Sequence, residues 1–65
     1  MKIIVNDAEH ELAAATLAAA LAALDYRDAI VATAVNGHFV PARAREETPL
    51  KNGDRIEIVA PRQGG

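Results

Sequence analysis

Only one stretch of this chain is spaced like a helix. Leu17, Leu21 and Leu24 fall at i, i+4 and i+7 with Ala20 between them, so one apolar stripe runs along the segment. Thr16 stands just before the stripe as the N-cap, although Ala19 occupies the place where Glu or Gln would complete a capping box. The surrounding alanines favour helix at little entropic cost. Asp25 marks the exit. A single short helix in a 65-residue chain must bury its stripe against a sheet, because no second helix exists to receive it.

The remaining apolar residues supply that sheet. Residues 1–6 are a β-branched run, with Met1, Ile3 and Val5 directed to one face and Lys2, Ile4 and Asn6 to the other. Asn6-Asp7 is turn chemistry, and a charged segment at about 9–12 is expected to pair back as an edge strand. Residues 30–36 read as a strand with Val31, Thr33 and Val35 on one face and Ala32 and Ala34 on the other. Asn36-Gly37 is the strongest hairpin signal, suited to a type I′ turn, and Phe39-Val40 resumes a short strand that Pro41 ends. Residues 43–49 form a polar connection, Asn52-Gly53 a second turn, and residues 55–60 the last strand. The order strand, strand, helix, strand, strand, strand predicts an α+β domain. It is a β-grasp, or ubiquitin-like, arrangement: a mixed sheet of four to five strands, one main helix on one face, and the first and last strands adjacent at the centre. Residues 1–60 make that domain and residues 61–65 a flexible C-terminal tail.

Composition limits the chemistry. Much of the 51% hydrophobic content is alanine at 13–23, so the core is small and a deep substrate cavity would remove packing it needs. Without cysteine there is no disulfide and no thiolate, and without serine no serine nucleophile. A net charge of −2 and only two aromatics, Tyr26 and Phe39, argue against a nucleic-acid partner. No charged-then-apolar leader opens the sequence and no apolar run approaches ~20 residues, so a cytoplasmic protein away from the membrane is expected. His10 and His38 read as solvated surface residues, and Arg43, Arg45, Glu46 and Glu47 as a solvated loop. With no catalytic or metal-binding constellation in view, the expectation is a protein that is not itself an enzyme and holds no cofactor.

The end of the sequence is the exception. Pro61 stiffens the base of the tail, and five extended residues reach at most roughly 16–18 Å. Gly64 and Gly65 lack Cβ atoms and can thread a channel too narrow for other residues. A terminal carboxylate is unreactive toward nucleophiles until it becomes a better acyl donor, which a partner could achieve with ATP. Ile4, Phe39 and Val59 are the apolar residues least needed by the core and are proposed as part of a docking face for such a partner.

Several segments in order, spanning nearly the whole chain, resemble the ThiS sulfur carriers of thiamine biosynthesis, a β-grasp group that also includes the small subunit of molybdopterin synthase. They are Ile3-Ile4-Val5-Asn6-Asp7, Thr16 to Leu21, Leu24-Asp25, Val31 to Gly37, Phe39-Val40-Pro41, Asn52 to Ile58, and Gly64-Gly65. The alanine-rich helix and Arg62-Gln63 depart from the usual carrier pattern, which bears on the choice of partner. The resemblance implies that the Gly65 carboxylate is adenylated by a ThiF-type adenylyltransferase using Mg-ATP. Sulfur, delivered as sulfide or from a persulfide such as that of a cysteine desulfurase, then takes the place of AMP, and the end product is a thiocarboxylate. A ThiG-type thiazole synthase takes that sulfur into the thiazole ring. Alternatives are a related carrier for molybdopterin or another sulfur-containing product, and a β-grasp module whose tail does nothing covalent.

Overall fold

The sheet forms where β-branched residues alternate between turn signals. A computed structural model describes residues 1–26 and 30–60 of the chain. Strand β1 (Lys2–Val5) buries Ile3 and Val5, while Ile4 on the other face is half-buried. Asn6 and Asp7 both take positive φ, 49° and 70°, and turn the chain tightly into β2 (Ala8–Glu11), which pairs antiparallel with β1 from Val5↔Ala8 to Lys2↔Glu11. After the helix come β3 (Ala32–Val35), the Asn36-Gly37 turn with φ of 51° and 83°, and β4 (His38–Val40). The last strand, β5 (Arg55–Val59), lies parallel to β1 and antiparallel to β3, giving the order β2-β1-β5-β3-β4. The expected mixed β-grasp sheet is present, with the first and last strands side by side.

Helix α1 (Leu17–Ala23) starts where expected: the Ala19 N–H donates to Thr16 Oγ1 at 3.2 Å. Its stripe is buried, with Leu17 fully enclosed and Ala20 and Leu21 beside it, packed in one cluster with Ile3, Ile56 and Ile58. The exit is a Schellman motif, in which the Tyr26 N–H donates to the Leu21 carbonyl (2.7 Å) and the Asp25 N–H to that of Ala22 (3.1 Å). Asp25 holds φ of 70° at the position glycine favours, and its carboxylate sits at the negative end of the helix dipole. Replacing it with glycine removes both penalties. Asp25→Gly is expected to raise unfolding stability by about 1 kcal/mol in urea titration, and a loss of stability would refute this reading.

Three expectations change. The polar connection is a 3-10 helix (Ala42–Glu47) followed by a segment whose Leu50 is buried; the Leu17 N–H donates to the Thr48 carbonyl and the Leu50 N–H to that of Ala15, stapling this segment to the helix entry. β3 begins at Ala32, and Ile30 before it is 75% exposed instead of joining the core. Arg45 is half-buried and not part of a solvated loop: its Nε donates to Thr33 Oγ1 (3.1 Å) and Nη2 to the Val31 carbonyl (2.7 Å). Thr33, only 2% exposed, donates its own hydroxyl hydrogen bond to the Val40 carbonyl at 2.8 Å. A long cationic side chain thereby closes the polar groups that a threonine in the core would otherwise leave unsatisfied.

Candidate functional site

Gly64 and Gly65, with the rest of the 61–65 tail, lie outside the described residues; what the structure shows is the platform from which they depart. That platform is β5, held on both flanks by neighbouring strands. Its alternation buries Ile56 and Ile58 and leaves Arg55, Glu57 and Val59 on the face opposite the helix.

Asn6 secures the tail end of β5. The Ile58 N–H donates to Asn6 Oδ1 at 2.9 Å, and Asn6 Nδ2 donates to the Ile58 carbonyl at 3.1 Å. A side-chain amide in the turn thus continues the β1–β5 ladder past the end of β1. Turn chemistry was legible at Asn6 from sequence; this second role was not, since it depends on a residue 52 positions away.

The opposite end of β5 is fixed by Asp54. The Lys51 N–H donates to its Oδ2 at 2.8 Å, and Asn36 Nδ2 to its Oδ1 at 3.1 Å. The Lys51 backbone bond, then the Asn36 bond, hold this buried carboxyl below its ordinary value of 3.8, outweighing burial, which acts the other way. A depressed folded-state pKa stabilises above the unfolded value, and the contribution disappears as pH falls through the folded one. Unfolding stability is therefore expected to drop below about pH 4, and Asp54→Asn should flatten that acid limb in urea titrations across pH. An unaltered limb would show that Asp54 is not the group responsible.

On the open face, Phe39 and Val59 are 70% and 63% exposed. They line one shallow groove of about 170 Å³ together with Ala32, Ala34, Thr33 and Glu57. The register explains the grouping: Val59 lies beside Ala32, and Glu57, Ala34 and Phe39 form a row across β5, β3 and β4. Ile4 shares the face but not the groove. It stands beside Arg55 and lines a neighbouring depression with Asn6, Asp7 and Gly37.

Neither histidine joins this face. His10 is half-buried and pairs in register with Ile3, which places it on the helix side of the edge strand instead of fully in solvent; His38 is exposed at the start of β4. Among the described residues, no group of three or more His, Asp or Glu side chains could hold a metal ion, and no helix is long and apolar enough to cross a membrane.

The ThiS family model matches residues 3–65. Among solved structures, the thiamine biosynthesis protein (ThiS) from Geobacter metallireducens is 28% identical to this chain; the match covers 100% of both chains with a TM-score of 0.82. No curated protein matches the chain by sequence.

Proposed function

The chain belongs to the ThiS family, and on that premise we propose that it is a sulfur carrier of thiamine biosynthesis, acting through the carboxylate of Gly65. The observation that carries this reading is the extent of the likeness. The family match runs through Gly65, and the neighbour described as a thiamine biosynthesis protein is covered from end to end.

The chemistry requires little of the domain itself. A Gly65 carboxylate oxygen attacks the α-phosphorus of ATP in a ThiF-type adenylyltransferase, releasing pyrophosphate and leaving an acyl-adenylate. Sulfide attacks the acyl carbon and expels AMP, giving the thiocarboxylate. If a desulfurase persulfide is the donor, the product is an acyl disulfide, and a second thiol reduces it to thiocarboxylate and a disulfide. The thiocarboxylate sulfur is a nucleophile that a ThiG-type synthase incorporates into the thiazole. The partners supply the catalytic groups, and this chain supplies the acyl end, a narrow Gly64-Gly65 terminus and a surface to dock. Mg-ATP belongs to the partner's site, not to this fold.

An intact-mass measurement after incubation with the same organism's adenylating enzyme, Mg-ATP and sulfide tests the proposal. Exchange of one oxygen for sulfur on Gly65 supports it; an unreacted chain beside a control carrier that reacts refutes it.

Ile4, Phe39 and Val59 are proposed as contacts for these enzymes, since two exposed apolar groups and a half-buried one on the same face mark an interaction surface. Val59→Ala removes two carbons, each contributing ~0.8 kcal/mol when buried, so partner affinity is expected to fall roughly tenfold. The melting temperature should hold. Unchanged affinity in titration calorimetry would exclude Val59 from the interface.

A further inference from the structure

Among the described residues, the charges of the open face are matched to one another, with one exception. Lys2 Nζ lies 3.9 Å from Glu9 Oε1, Arg55 Nη1 3.1 Å from Asp7 Oδ1, and the chain's N-terminal ammonium 3.0 Å from Glu11 Oε2. Glu57 has no ion pair among the described residues. Its surroundings sharpen the contrast. Ala34 is its neighbour across the sheet, Phe39 lies one strand further on, and Val59 is the next residue of β5 on this face. A carboxylate therefore stands on the wall of the apolar groove, between it and the depression lined by Ile4, Asp7 and Arg55, on the strand that leads into the tail.

We propose that Glu57 selects the docking partner by requiring a lysine or arginine that projects from an otherwise apolar contact surface. This rests on the docking reading above. A protein that covers Phe39 and Val59 must also cover Glu57 and strip its water. Without a cation opposite, the buried carboxylate opposes binding; with one, the same charge favours the correct partner. The pairs Lys2–Glu9 and Arg55–Asp7 cannot serve this purpose, because each is already internally compensated.

The test measures binding to the same organism's ThiF-type adenylyltransferase by titration calorimetry at low and high salt, independently of any sulfur transfer. Glu57→Gln keeps the shape and exposed strand position. It is expected to weaken binding by about tenfold or more and to reduce its dependence on salt. Glu57→Lys, placing like charges opposite one another, should weaken it further, while Phe39→Ala should lose affinity equally at both salt concentrations. Far-UV circular dichroism confirms that each variant is folded. If Phe39→Ala binds weakly but Glu57→Gln matches wild type at both salts, the face docks and Glu57 does not select, which overturns the proposal. If Phe39→Ala, Val59→Ala and Glu57→Gln all bind as wild type, the docking reading itself falls, and this inference with it.

Discussion

Deleting Gly65 is expected to abolish thiocarboxylate formation while leaving the domain as stable as before. The truncated chain still ends in a glycine carboxylate, but one residue short, and a residue of extended chain spans ~3.3–3.6 Å. Acyl activation needs the carboxylate oxygen within van der Waals reach of the α-phosphorus, and displacement of that size typically costs 10²-fold or more in rate. Among the described residues, the core is complete between Ile3 and Ile58. Intact mass should show no sulfur incorporation, and the thermal transition should coincide with wild type. A truncated chain that still acquired sulfur would refute the assignment of Gly65 as the acyl end.

The largest effect on folding is expected at Ile56. This side chain is 1% exposed, in the strand that both β1 and β3 flank. Ile→Ala at such a site removes about 2–5 kcal/mol. A domain of this size without a disulfide has roughly 3–5 kcal/mol to lose, so Ile56→Ala should leave much of the population unfolded at room temperature. Ile30→Ala, at a 75% exposed position, serves as the control and should shift stability by less than about 0.5 kcal/mol. Cooperative unfolding of Ile56→Ala within about 1 kcal/mol of wild type in urea would mean that the core tolerates collapse around β5.

Most of this architecture was legible because local signals agreed with one another. The period-two runs placed β1 and β5, the Asn36-Gly37 dipeptide placed the β3–β4 hairpin, and the Thr16 cap with its leucine stripe placed α1. Where the sequence carries no period, reading along it failed. Residues 42–47 show no apolar repeat, yet the chain winds there into a 3-10 helix from which Arg45 reaches Thr33 of β3, and Leu50 beyond it is drawn into the core. Asn6, Asn36 and Asp54 looked like ordinary turn residues. Their bonds to the two ends of β5 join parts of the chain 18 to 52 residues apart, and no local pattern encodes that. For the site, the sequence singled out Ile4, Phe39 and Val59 only as the apolar residues the core needs least. It did not reveal that Ile4 lies in a separate depression, which depends on strand order and register.

The strand made last is also the one placed innermost. β5 enters between β1 and β3, so neither neighbour can complete its pairing until residues 55–59 have cleared the ribosome. A nascent carrier thus has no finished sheet, and no groove around Glu57, while its C-terminal end is still being polymerised. On the docking reading proposed above, recognition by an activating enzyme is thereby deferred until synthesis has supplied the rest of the chain.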